Sequence, residues 1–299
     1  MKKEIIAFIS KDLGYNNLNL IEKDMILNYL LYELNKYSNF NKKYIFKGGT
    51  CLIKSYFGYY RFSEDLDFTY ANQKLFLEMS ETKTRKMISQ EVNEFGKILK
   101  EIADKLELGF EFDKNNKKYC EFGGGGRFTT FKLWFQSNSL NKEEFIKIQI
   151  NYVDLILFPV SKKEITLMNK SLDDRIYVIF RELLSLRQNI YLKIYSLEEF
   201  CCEKIRSIIT RRGIKIRDFI DLYYLNISGL DFSKLENEIL EKIRFMLRYE
   251  KYRVNINKNI KDLVSFGEEQ IISLEPIPKD FYRYSNRVIN FCEEIKLKL

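Results

Sequence analysis

The hydrophobic positions change period several times in the first half of the chain. From Ile21 to Tyr37, Met25, Ile26, Tyr29, Leu30 and Leu34 recur at helical spacing, which predicts a helix. Tyr44-Ile45-Phe46 is too short for a helical stripe and reads as a buried strand running into Gly48-Gly49. Thr50 to Tyr56 then predicts a short helix, and Leu66 to Tyr70 a second strand. Thr82 to Leu106 carries Met87, Val92, Phe95, Ile98, Leu99 and Ile102 on one side, the pattern of a long amphipathic helix. Three more strands are predicted at Phe110 to Phe112, Phe128 to Phe135 and Phe145 to Ile150. The four glycines Gly123 to Gly126 precede the second of these and read as a hairpin turn that needs positive φ. Pro159 and the polar run Ser161 to Glu164 mark an exit from the sheet.

Beyond Leu197 the period is helical throughout. Helices are predicted at Leu197 to Arg211, Lys215 to Leu225, Phe232 to Tyr249, Ile256 to Phe266 and Asp280 to Lys298, with Pro276 and Pro278 in the loop before the last. The order of elements predicts an α+β fold in two domains: 1–165 with a mixed sheet, and 166–299 all-helical. The boundary is soft between Lys163 and Leu197, and there is no internal repeat.

Composition narrows the chemistry. The 299 residues are 45% hydrophobic, enough for a sizeable core, and no apolar run is long enough to span a bilayer. The first ten residues have a basic start, but Lys11 and Asp12 cut the apolar run short, so no signal peptide is predicted. The five cysteines (Cys51, Cys120, Cys201, Cys202 and Cys292) are odd in number and form no C-x-x-C pair, which fits reduced structural thiols in the cytoplasm. The chain has no histidine, and that excludes Ser-His-Asp and Cys-His catalysis and His-ligated zinc. The net charge of +8 favours a polyanionic partner and equally fits a Lys-rich surface.

The chemistry-bearing residues cluster early. Asp65 and Asp67 stand two apart on a predicted strand, so both carboxylates share one face, opposite Leu66 and Phe68. Such a pair suits Mg²⁺ or Mn²⁺, or an ordinary solvated strand edge. Upstream, Lys47-Gly48-Gly49-Thr50 puts a basic residue and a glycine turn at a helix start, where backbone N–H groups approach phosphate closely. The same residues also fit a tight turn and an N-cap. Arg61 and Ser63 precede the carboxylates and are placed to orient phosphate or the metal ligands. In the helical half Lys204 and Arg211 lie along the edge of the stripe Leu197, Cys201, Ile205, Ile208. Asp218 and Asp221 share a face on the next helix, with Arg217 one turn from Asp221. They either tie Lys204 or Arg211 into a site or brace two helices.

The block from Phe46 to Phe68, FKGGTCLIKSYFGYYRFSEDLDF, resembles the signature of the AbiEii/AbiGii-type nucleotidyltransferases, toxins of type IV toxin–antitoxin and abortive-infection systems. The block from Ser196 to Leu225, with its lysine on one helix and an R-D-x-x-D-L-Y run on the next, is similar to the family's later block. The resemblance implies a polymerase-β-like nucleotidyltransferase domain followed by a helical domain. It implies Asp65 and Asp67 as metal ligands, with Lys47, Gly48, Gly49, Thr50, Arg61 and Ser63 around the NTP. It also implies Lys204 on the triphosphate and one of Asp218 and Asp221 as essential. An NTP between the two domains, an RNA (tRNA) 3′ end as acceptor and a separately encoded antitoxin follow from the same resemblance.

One position departs from the superfamily pattern. A third carboxylate is expected on the Phe145 to Ile150 strand, where the face opposite the core carries Lys147, Gln149 and Asn151. Gln149 is neutral, and Asp154 has the wrong parity. A protein or small-molecule acceptor, and a non-catalytic nucleotide- or RNA-binding module, remain open alternatives.

Overall fold

The structure is a computed structural model that describes residues 3–167, 172–264 and 273–299. Seven strands form one mixed sheet: β1 (Tyr44–Lys47), β2 (Asp65–Tyr70), β3 (Cys120–Gly123), β4 (Phe128–Gln136), β5 (Glu143–Asn151), β6 (Ser161–Ile165) and β7 (Ile190–Ile194). Their spatial order is β3-β4-β5-β2-β1-β7-β6. The β5/β2 and β1/β7 pairs are parallel; the others are antiparallel.

The helices of the sheet-bearing part are α1 (Lys3–Leu13), α2 (Leu18–Asn35), α3 (Ser38–Lys43), α4 (Gly48–Leu52), α5 (Gln73–Glu78), α6 (Glu81–Lys105) and α7 (Asp174–Ile179). The sheet's alternation sets its core. On β2 Leu66 and Phe68 are buried while Asp65 and Asp67 are half-buried, and on β5 Ile146, Ile148 and Ile150 are fully buried. Phe68 meets Phe40 edge-on at 5.0 Å and stacks with Phe46 at 5.1 Å, and Phe95 of α6 joins this cluster through Phe40. All four rings are buried in the core.

Two compact units divide the chain. One is Met1–Asp154 with Ser161–Ile194; the other is Leu155–Val160 with Tyr195–Leu299. The second unit holds α8 (Leu197–Thr210), α9 (Ile216–Ile227), α10 (Glu236–Met246), α11 (Glu250–Ile256), α12 (Ile260–Leu263) and α13 (Phe281–Leu297). Glu199 of α8 accepts from the backbone N–H groups of Leu157 and Phe158, and Lys242 donates to Glu199 and to the Leu155 carbonyl at 2.8 Å. This buried pair holds the 155–160 segment in the helical unit.

Several expectations need correction. Ser161 to Glu164 is edge strand β6, not an exit from the sheet; an edge tolerates the outward Lys162 and Glu164. Phe110 to Phe112 is not a strand. Gly109 makes one bridge to Trp134, and the Phe112 ring fills the space where Gly96 of α6 has no side chain. Phe232 to Tyr249 opens as a 3₁₀ turn over Phe232–Leu235 and continues as α10, which stops at Met246, three residues short of the expected end. Of the helix expected over Ile256 to Phe266, α12 is present, and residues 265 and 266 lie outside the described residues. The glycine run does turn the β3–β4 hairpin, with positive φ at Gly124, Gly125 and Gly126. All five cysteines are buried free thiols.

Candidate active site

The turn from β1 into α4 builds the site. Gly48 has φ +76°, and a Cβ there would stand 2.1 Å from Asp67 Oδ2. A Cβ on Gly49 would stand 2.3 Å from Arg61 Nη2 and 3.1 Å from Ser63 Oγ. Both glycines are therefore close-approach positions: the backbone lies against the side chains that the sequence singled out. Thr50 is buried, and its hydroxyl donates to the Asp65 carbonyl at 2.6 Å. It ties the start of α4 to the carboxylate strand. Arg61 is fully buried and donates through Nη1 to the Phe62 carbonyl at 2.7 Å.

The cross-strand register arranges the neighbours. Lys47 on β1 and Gln149 on β5 flank Asp67, and Lys147 flanks Asp65. Gln149 donates to Thr130 Oγ1 at 3.3 Å, so the position beside Asp67 holds a neutral amide tied to β4. Lys47 Nζ lies 2.9 Å from Asp154 Oδ2. Asp154 is buried, also accepts from Thr69 Oγ1 at 3.4 Å, and is anchored by its N–H to Gln73 Oε1 at 2.7 Å. Thr69 is two residues beyond Asp67 and shares its face. Asp154 thus reaches the carboxylate face from beyond the end of β5, where strand parity no longer governs. Glu64 points away and pairs with Lys23 at 2.6 Å. Asp65 makes no side-chain hydrogen bond or ion pair among the described residues.

The donor set fits a hard divalent ion in part. Asp65 and Asp67 present half-exposed carboxylates on one face. No group of three or more acidic or thiol side chains among the described residues is placed to hold a metal. Mg²⁺ uses one or two carboxylates and takes its other oxygens from phosphate and water, so the pair suits it when a nucleotide is present.

A cluster the sequence reading passed over supports the turn from behind. After α4 the helix widens into a π turn over Ile53–Phe57, closed by Gly58 with its N–H on the Ile53 carbonyl at 2.9 Å. Lys54 on that turn is buried and donates to Asp24 Oδ1 at 2.8 Å and Asn28 Oδ1 at 2.7 Å on α2. The Tyr59 hydroxyl meets Lys54 and donates to Asp24 Oδ2 at 2.8 Å. Burial pushes the Lys54 ammonium below its ordinary pKa despite Asp24, and pushes the Tyr59 phenol well above its own. The only signal in the sequence was a lysine four residues beyond Thr50.

Lys204, Asp218 and Asp221 meet in the helical unit. Lys204 Nζ on α8 lies 2.9 Å from Asp218 Oδ1 and also pairs with Asp221, both on α9; Arg211 Nη1 lies 2.7 Å from Asp218 Oδ2. Asp221 is fully buried and Asp218 nearly so. Burial alone would raise the Asp218 pKa; Lys204 and Arg211 outweigh it and hold the carboxyl far below its usual range.

A family model described as nucleotidyl transferase AbiEii toxin, type IV toxin–antitoxin system, matches residues 29–280. No curated protein matches the chain. The crystal structure of JHP933 from Helicobacter pylori is similar at 15% identity, with 94% of this chain and 93% of that one covered and a TM-score of 0.43. A second H. pylori crystal structure, of a protein provisionally described as a nucleotidyltransferase, is 15% identical with 94% and 96% covered and a TM-score of 0.42. Likenesses at that level are too distant to carry function.

Proposed function

The chain belongs to the AbiEii nucleotidyltransferase toxin family of type IV toxin–antitoxin systems, and from that premise we propose that it moves a nucleoside monophosphate from an NTP to an RNA 3′ end, a tRNA in the cytoplasm. The observation that carries the reading is the Gly48-Gly49 turn, packed against Asp67, Arg61 and Ser63 with no room for a side chain. The turn backbone binds the phosphate tail, with Thr50 and Arg61 fixing its position and Lys47 and Ser63 at its edges. Asp65 and Asp67 hold Mg²⁺ or Mn²⁺. When bound, that ion supplies neutralising charge to the triphosphate and makes the α-phosphorus more electrophilic. The acceptor oxygen bonds to the α-phosphorus, its proton passes to water, and the bond to pyrophosphate breaks with its electron pair leaving on the pyrophosphate. Lys204, held by Asp218 and Asp221, is the cation proposed to offset charge on the leaving group. Type IV membership implies an antitoxin partner.

A second reading rests on Gln149, the neutral residue beside Asp67. It makes the protein a binding module without transfer. One experiment separates the two: purified protein, Mg²⁺, each of the four α-labelled NTPs and total cellular RNA, with Asp65→Ala/Asp67→Ala as control. Label entering a tRNA-sized band only with the unaltered protein supports transfer to RNA. Label in protein or a small molecule moves the acceptor. Binding of NTP without any transfer supports the module.

A further inference from the structure

Nearly all of the chain's net charge sits in two short segments. Residues 211–217 carry Arg211, Arg212, Lys215 and Arg217 with no carboxylate. Residues 248–258 carry Arg248, Lys251, Arg253 and Lys258 against Glu250 alone. Eight cations and one carboxylate leave +7 in these 18 residues, and the whole chain carries +8.

The fold joins the two segments within the helical unit. The first is the α8–α9 loop with the start of α9; the second is α11 with its flanks. Asn255 Nδ2 donates to the Thr210 carbonyl at 3.0 Å, and Lys258 Nζ donates to the Arg211 carbonyl. Lys296 of α13 adds a bond to the Lys258 carbonyl at 2.6 Å. Crowding of like charge costs stability. Burial, and then Arg211 and Lys296, bring the Lys258 ammonium down to about 8.

This arrangement does not serve the core. No residue of α11 is buried. Arg212, Lys215, Arg248, Lys251 and Arg253 are exposed, and Arg212, Lys251 and Arg253 form no ion pair among the described residues. Tyr249 and Tyr252 lie half-buried among them, their rings 6.3 Å apart, with Lys251 4.7 Å from the Tyr252 ring centre. Exposed cations interleaved with aromatic rings suit a phosphate backbone with bases to stack. The surface also runs directly into the Lys204 cluster, because Arg211 shares Asp218 with Lys204.

We propose that the α8–α9 loop and α11 form the docking surface for the RNA acceptor, gripping its phosphates through Arg212, Lys215, Arg248, Lys251 and Arg253. The proposal rests on the RNA reading of the acceptor. It is tested by binding of labelled total tRNA to the full-length protein across a salt series without NTP, so that binding is read apart from transfer. For Arg212→Gln/Lys251→Gln/Arg253→Gln, affinity at low salt falls at least about tenfold, and the slope of log K against log salt flattens by about 2, near 0.7 per lost contact. The swap Arg212→Lys/Lys251→Arg/Arg253→Lys keeps the slope. An unchanged slope in the glutamine variant, while the unaltered protein labels RNA, overturns the docking surface and leaves the transferase reading standing. Label found only in protein or a small molecule, with no tRNA binding, overturns both. Polyglutamate competing as well as tRNA at equal charge overturns RNA in favour of an acidic protein partner.

Discussion

Two of the charged clusters of this protein are built in opposite ways. In the sheet unit, two carboxylates of like sign stand half-exposed on one strand face, and the lysine in register with Asp67 is engaged by Asp154. In the helical unit, Lys204, Arg211, Asp218 and Asp221 alternate in sign, and both aspartates are buried. The first keeps two carboxylates of like sign on one strand face, where a divalent cation would offset their repulsion. The second is complete in itself and contributes to the fold whatever else it does. Removing members of the two clusters therefore has different signatures.

The largest effect is expected from Asp65→Asn/Asp67→Asn. Nucleotide transfer falls by about a thousandfold or more, roughly 4 kcal/mol of transition-state stabilisation. The melting temperature changes less than on loss of a buried member of the helical cluster, because both side chains are half-exposed. A clear drop in melting temperature would instead make the pair structural, like the helical cluster.

Next comes Asp218→Ala, which leaves Lys204 with one partner and strips Arg211 of its own. Breaking a buried ionic network in this way costs about 3 kcal/mol, readable by denaturant unfolding. Its pH dependence sharpens the point. The folded Asp218 pKa lies below the unfolded value of about 3.9, so its contribution is fully present above that pH and is lost as pH falls through the folded value. The stability gap between the unaltered protein and the variant should narrow in acid; a gap that widens there contradicts the assignment.

Gly48→Ala tests the close approach. The new methyl meets Asp67 Oδ2 and the backbone is held at φ +76°, so Asp67 must move. Displacement of about 1 Å in a positioned group lowers transfer about a hundredfold, with only about 1–2 kcal/mol lost from folding. Retained activity would show that Asp67 tolerates displacement. The smallest effect is expected from Thr50→Val, which deletes the hydroxyl bond to the Asp65 carbonyl. It costs about 1 kcal/mol in unfolding experiments and lowers transfer severalfold.

Much of the site was legible because its members lie close in sequence. Gly48 to Thr50 and Arg61 to Asp67 fall within one strand–helix–strand unit, so their proximity needs only short connections. Asp154 was set aside on strand parity, an argument valid only inside a strand, and β5 ends at Asn151. Lys54 gave no periodic signal, since its partners Asp24 and Asn28 lie on a helix some thirty residues earlier. Edge strand β6 was hidden by charged residues that a central strand would not hold.

The sequence by itself determined the order of strands and helices around the glycine turn, the shared face of Asp65 and Asp67, and the absence of histidine chemistry. These follow from local periodicity and composition, which act over a few residues. Only the tertiary structure decided that Asp67 and Arg61 pack onto the two glycines, that Asp154 holds Lys47, and that two cationic segments some thirty residues apart form one surface. Contacts of that range depend on how helices and strands stack, and side-chain patterning along one element does not encode it.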